Sequence, residues 1–200
     1  QTLMALIPFD DRDGVIWFNG KLVPWREAKI HVLTHGLHYG SCVFEGERVY
    51  NGKIFKLHEH SQRLIYSAQQ LGFNLPYTVE QLNQATLEVV KAQNITNGYV
   101  RPVAWRGSEM MAVAAQHNTI HVAIAAWEWP NYFSKEARER GLRLQISRWA
   151  RPAPNTAPTS SKAAGLYMIC TLSKHEAEQA GYEDALMLDW RGLVAEATGA

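Results

Sequence analysis

The chain has 200 residues, of which 46% are hydrophobic and 20% charged, with a formal net charge of +1. That length holds one large or two small domains with a substantial core, and the composition is globular rather than disordered. No basic run selects a phosphate backbone and no apolar stretch is long enough to cross a bilayer, so neither a nucleic-acid partner nor a membrane span is expected. The opening segment, Gln1 to Gly14, has no basic leader or small-residue cleavage site, so a signal peptide is not expected either. Cys42 and Cys170 lie in apolar segments and read as reduced core thiols of a cytosolic protein. The chain stops at Ala200 straight after a strand-like run, which suggests a cut rather than a natural terminus.

The elements begin with a hairpin. Val15 to Phe18 runs into Asn19-Gly20 and then Leu22-Val23, and Asn-Gly supplies the two positive φ angles that a tight turn between strands needs. The device recurs where Cys42 to Phe44 and Val49-Tyr50 precede Asn51-Gly52 and Ile54-Phe55. Leu57, Leu64, Ile65, Ala68 and Leu71 share one helical face, and Gly72 marks the end of that helix. Thr78 and Gln81 have capping-box spacing at the head of a second helix, Val79 to Gln93. Two continuously apolar segments follow, Tyr99 to Trp105 and Thr119 to Trp127, as expected of a buried sheet. A connector around Trp129 to Tyr132 leads to a short helix and an alternating strand, Leu142 to Ile146. Three prolines between Arg151 and Pro158 make a stiff extended loop. A helix from about Ala164 to Ala180, ended by Gly181, and a closing pair, Asp184 to Leu188 with Leu193-Val194, complete the chain. The expected fold is α+β, with a small N-terminal α/β domain over 1–135 and the first part of a larger C-terminal domain over 136–200.

Lys162 draws attention by its surroundings. It sits in Thr159-Ser160-Ser161-Lys162-Ala163-Ala164-Gly165, among small residues and just after the proline loop. A helix starting immediately after it would place its amine beside the positive end of the helix dipole and lower its pKa from about 10.4, as nucleophilic lysines require. An exposed lysine near a helix start is the plainer alternative.

The order and spacing of several motifs carry more. Trp17-Phe18-Asn19-Gly20, His35-Gly36-Leu37-His38-Tyr39-Gly40, Val43-Phe44-Glu45-Gly46 and Gln62-Arg63-Leu64 come in the first half. Tyr99-Val100-Arg101-Pro102, Ala153-Pro154-Asn155-Thr156, Lys162-Ala163-Ala164-Gly165-Leu166-Tyr167 and Glu196-Ala197-Thr198-Gly199 follow. In these segments the chain resembles the class IV, fold-type IV, aminotransferases that use pyridoxal 5′-phosphate, and most closely the branched-chain amino acid aminotransferases. The resemblance implies that Lys162 holds the cofactor as a Schiff base and shuttles the proton. It implies that Arg63 binds the phosphate, that Tyr167 bonds the phenolate oxygen and that Glu196 pairs with the ring nitrogen, which suits their chemistry. Tyr99 and Arg101, two apart on a strand, share a face, and a phenol beside a guanidinium makes a carboxylate receptor. The resemblance puts that pair in the substrate pocket, with Tyr39, Phe44, Trp129 and Tyr132 as aromatic walls and Arg48 as a polar handle. Met111-Ala112-Val113 stands where many branched-chain enzymes carry glycine, in the loop expected to close the pocket.

The implied activity is amino transfer between branched-chain L-amino acids and 2-oxoglutarate, in a cytoplasmic homo-oligomer, a dimer or higher. The family runs on for another third, so the large domain is expected to be incomplete here. Other class IV activities compete: D-amino-acid or (R)-amine transamination, or aminodeoxychorismate lysis. A non-catalytic oligomerising relative is a further alternative. From another class, His31, His35 and His38 have helical spacing, with His58 and His60 further on. The turn signals at Gly36 and Gly40 argue against a helix there, and no cysteine or paired acid completes a ligand set, so no metal is expected.

Overall fold

The computed structural model describes residues 7–129 and 135–199. Its first hairpin pairs β1 (Val15–Phe18) with β2 (Lys21–Pro24) through Asn19 (φ 49°) and Gly20 (φ 97°), the two positive angles anticipated from Asn-Gly. A one-turn helix follows, α1 (His35–Tyr39), closed by Gly40 at φ 73°. This corrects the expectation of no helix at these histidines: Gly36 sits inside the turn and only Gly40 is the stop. β3 (Cys42–Phe44), β4 (Glu47–Tyr50) and β5 (Lys53–Ile54) come next, with the second Asn-Gly turn between β4 and β5.

Helix α2 (Leu57–Gln70) buries Leu64, Ser67 and Ala68. Helix α3 (Val79–Ala92) opens on the full capping box, in which Thr78 Oγ1 accepts from Gln81 N–H and Gln81 Oε1 from Thr78 N–H. Such a cap contributes about 1 kcal/mol. Strands β6 (Gly98–Arg106) and β7 (Ile120–Glu128) pair along their full length.

The first sheet runs β2-β1-β7-β6-β4-β5, with β3 also on β6. β3 and β4 share one edge of β6, and the break between them, Glu45-Gly46, lies opposite Arg101-Pro102. Pro102 C=O accepts from Glu45 N–H at 2.9 Å there. In an antiparallel strand a residue's N and C=O face the same side, so the donor that proline lacks would have pointed into this break, the place where a sheet tolerates proline.

Period-two alternation divides the sheet's residues. Trp17, Val43, Val49, Val100, Ala104, Val122, Ile124 and Ala126 pack under α2 and α3 with Leu64, Leu82 and Val89. Each fully buried aliphatic side chain of this size contributes about 1.5–3 kcal/mol. Their neighbours on β1, β3, β6 and β7 face the other side. The continuous apolar run of β6 and β7 therefore serves two surroundings: helices cover one face, and the other lines a cavity.

After α4 (Lys135–Arg140), β8 (Leu144–Arg151), β9 (Asp184–Asp189) and β10 (Val194–Ala197) form a second sheet in the order β10-β9-β8. β8 and β9 are parallel and are joined through α5 (Met168–Gln179), which packs on both. Cys170, Ala177, Ala185 and Met187 are buried there. The last helix starts later than expected. Ala164–Leu166 is a single 3-10 turn and α5 begins only at Met168, so the α-helix does not directly follow Lys162.

Candidate active site

Two contacts with β3 bring Lys162 to the first sheet. Lys162 C=O accepts from Phe44 N–H at 3.2 Å, and Ala163 bridges Val43, so the segment after the proline loop lies along β3. Lys162 Nζ donates to Tyr167 Oη at 2.7 Å and stands 5.0 Å from the centre of the Phe44 ring. Phe44 and Tyr167 meet edge to face at 4.8 Å. The 3-10 turn makes this possible, since it carries the chain back so that position 167 faces position 162.

Phe44 also connects to the Tyr99–Arg101 pair. The Arg101 guanidinium lies 4.6 Å from the Phe44 ring centre, and Arg101 Nη2 donates to Tyr99 Oη at 2.9 Å. Arg48 is the cross-strand partner of Tyr99, hence on the same face, and its Nη2 donates to Trp129 C=O at 3.3 Å. Trp129 stacks obliquely on Tyr99 at 5.3 Å. Lys162, Tyr167, Phe44, Arg101, Tyr99, Trp129 and Arg48 thus form one continuous group on the face away from α2 and α3. Beside it opens a cavity of ≈ 710 Å³ walled by Ile16, Phe18, Val103, Trp105, Ala123 and Ala125, with Arg101 at its polar side and Gly40, Cys42, Ala164 and Gly165 around its floor. The scale suits a small-molecule site. Burial pushes the Cys42 thiol up to about 11, so it is an inert wall residue.

The remaining expected residues stand elsewhere. Tyr39 packs against His35 at 4.8 Å and is exposed, outside the aromatic group around Phe44. Arg63 forks onto Glu45 through Nε and Nη2, and half of its side chain stays exposed. Glu196 pairs with Arg151 Nε at 3.3 Å. The fields of both Glu196 and Lys162 reach the Cys170 thiol, which burial and then the Glu196 carboxylate push up. Tyr132 lies outside the described residues.

Three contributors escaped the sequence reading. Glu45 is fully buried; burial alone would raise its carboxyl, but hydrogen bonds from Arg63 and then His60 outweigh that and hold it below the usual range. Its signal in the sequence is its place in Val43-Phe44-Glu45-Gly46. Trp127 packs on Tyr99 at 5.2 Å, and its alternation with Ala123 and Ala125 was the available clue. Gly46 is the third: a Cβ there would stand 2.0 Å from Tyr99 Oη, so the close approach of that phenol requires glycine.

Residues 42–200 match the profile described as amino-transferase class IV. The chain belongs to the class IV aminotransferase family. Among similar proteins of this class IV group is the probable branched-chain-amino-acid aminotransferase of Rickettsia conorii, 46% identical over 98% of this chain and 66% of its own length. The branched-chain-amino-acid aminotransferase of Pseudomonas aeruginosa is 42% identical over 94% of this chain and 63% of its own. The structure is similar to that of a T.th. branched-chain amino acid aminotransferase with pyridoxamine 5′-phosphate, with a TM-score of 0.89, 43% identity and coverage of 94% of this chain and 63% of that one. The class IV chain therefore spans just under two thirds of the length of these relatives.

The donor set fits pyridoxal 5′-phosphate. An amine suits its aldehyde, a phenol its ring oxygen, a guanidinium its phosphate and a carboxylate its ring nitrogen. Arg63 engages Glu45 by one edge, and among the described residues its Nη1 takes no hydrogen-bond partner, so the other edge is available to an anion.

Among the described residues the histidines have other duties. His35 Nε2 pairs with Ala112 C=O, His38 Nε2 with Val32 C=O, and His60 Nδ1 with Glu45. Among the described residues no helix is long and apolar enough to cross a membrane.

Proposed function

We propose that the protein is a pyridoxal-phosphate-dependent aminotransferase that moves the amino group between branched-chain L-amino acids and 2-oxoglutarate. The observation that carries this reading is the placement of Lys162 Nζ on Tyr167 Oη, one ring away from the Tyr99–Arg101 receptor. The names of the relatives support the substrate class.

When bound, pyridoxal 5′-phosphate supplies a ring that takes up charge as the substrate Cα loses its proton. Lys162 would hold the aldehyde end of the cofactor, and its Nζ would carry the proton that the substrate loses. Tyr167 orients that amine and bonds the ring oxygen. Arg63, held at a fixed angle by Glu45, takes the phosphate on its open edge. Glu196, paired with Arg151, would hold the protonated ring nitrogen. Tyr99 serves the α-carboxylate and Arg101 the second carboxylate of glutamate. Phe44, Trp129 and Arg48, grouped around Tyr99 and Arg101, would face the substrate side chain.

The domain division at 135/136 belongs to the same proposal, supported by two sheets that fall on either side of it. So do a cytoplasmic location, supported by two free cysteines, and a homo-oligomer, supported by the exposed Leu37, Tyr39, Met110 and Val113.

A substrate panel tests the activity. Branched-chain 2-oxo acids with L-glutamate are expected to be the best pair. A preference for D-alanine or an (R)-amine, or release of pyruvate from aminodeoxychorismate, would replace it with another class IV activity.

A further inference from the structure

Ser67 lies one helical turn after Arg63 on α2 and is completely buried. Its Oγ accepts the Lys162 backbone N–H at 2.9 Å, and its C=O accepts from Ser161 Oγ at 2.8 Å. The other side of Lys162 is fixed too, because its C=O accepts from Phe44 N–H. The lysine's backbone is therefore clamped between α2 and β3, across more than ninety residues of sequence. Residues four apart on a helix share a face and are separated by about 6 Å along the axis. The same rigid turn thus carries the guanidinium at one end and the anchor of the lysine at the other. Glu45, next to Phe44, pins the guanidinium end.

We propose that Ser67 is a positioning residue that sets the span between the Arg63 guanidinium and the Lys162 amine, so that one ligand bearing both a phosphate and an aldehyde engages the two together. This rests on the roles given above to Arg63 and Lys162. Two groups held at a fixed span bind one bifunctional ligand far better than either group alone, and a loose span forfeits the gain. Schiff-base formation joins Lys162 Nζ to the aldehyde carbon and releases the oxygen as water, so it reports the aldehyde end directly. The phosphate end is reported by comparing pyridoxal 5′-phosphate with pyridoxal, which lacks it.

The test measures Schiff-base affinity by absorbance titration of the full chain with both compounds, followed by borohydride trapping to count adduct on Lys162. Wild type is expected to prefer the phosphorylated compound strongly. Ser67→Ala should lower that preference about tenfold, while pyridoxal alone changes little. In an Arg63→Gln background Ser67→Ala should leave the preference unchanged, because the span then joins nothing. Ser161→Ala, which keeps the Lys162 N–H to Ser67 Oγ bond but loses the second contact to Ser67, should lower it less than Ser67→Ala does. Should Ser67→Ala fail to fold, Ser67→Cys keeps the volume and a weak acceptor, and should give an intermediate drop. Equal weakening of both compounds by the Ser67 variants would make the serine a general packing residue and overturn the proposal. Wild type forming no adduct with either compound would overturn the cofactor roles themselves, a different result from an unchanged preference.

Discussion

Lys162 Nζ donates to Tyr167 Oη at 2.7 Å, and both stand against the ring of Phe44. Five residues of chain and one 3-10 turn deliver this pair, while β3 delivers the ring between them and Arg101. Tyr167→Phe keeps the ring contact and removes the hydroxyl. A lost hydrogen bond of ~1.4 kcal/mol that acts in the transition state corresponds to about tenfold in rate, so kcat should fall by about that factor with thermal stability nearly unchanged. Steady-state kinetics with L-glutamate and a branched-chain 2-oxo acid, beside a melting curve, would show this; an unaltered kcat would remove Tyr167 from the chemistry.

Gly46 gives a steric test of the carboxylate receptor. A methyl group at this position would overlap Tyr99 Oη, and the phenol would have to leave Arg101. Gly46→Ala should raise KM for L-glutamate by about tenfold, the scale of one displaced charge-assisted bond, and change kcat less. A fall in kcat alone would place Tyr99 elsewhere in the mechanism.

Glu47 gives a test of stability. It is fully buried beside Glu45, and among the described residues neither of its carboxylate oxygens takes a hydrogen bond. Burial, and then the Glu45 charge, push its carboxyl up to about 8 from an ordinary 4.5. Between those values the folded chain keeps a proton that the unfolded chain has released, so folding stability falls as pH rises through the window. Glu47→Gln removes this dependence and should stabilise the protein by ~1–3 kcal/mol at pH 7, with little gain at pH 4. Glu45 has the opposite dependence, losing stability as pH falls through its lowered value, but it is common to both proteins and drops out of the difference. Urea unfolding at the two pH values measures it, and an equal gain at both would contradict the assignment.

Glu196 separates binding from chemistry. If its carboxylate acts on the ring nitrogen, Glu196→Gln should lower kcat by about a hundredfold or more, on the scale of other lost transition-state charge partners. Adduct formation on Lys162 should persist. Loss of the adduct together with kcat would instead mark the Arg151–Glu196 pair as a structural strut between β8 and β10.

Local chemistry was readable wherever it is self-contained. Both Asn-Gly turns and the Thr78–Gln81 box depend only on neighbours in sequence, and each was anticipated to the residue. The two-faced sheet was not. Ala123, Ala125 and Val103 look like core, and only the positions of α2 and α3 distinguish a packed face from a cavity wall. The motif residues Lys162, Tyr167 and Arg101 carried their significance through resemblance, while Ser67 and Glu47 carried none, because their roles arise from contacts distant in sequence or from missing partners. The helix expected at Ala164 begins at Met168, a boundary set by the intervening 3-10 turn, and Tyr167 Oη meets the Lys162 amine.

All of the proposed chemistry turns on a bond between Lys162 and pyridoxal 5′-phosphate. Incubating the purified protein with the cofactor, reducing with borohydride and mapping the pyridoxyl group by peptide mass spectrometry locates that bond. One adduct is expected, on Lys162, absent in Lys162→Ala. No adduct, or an adduct on another lysine such as Lys174 or Lys56, would refute the assignment.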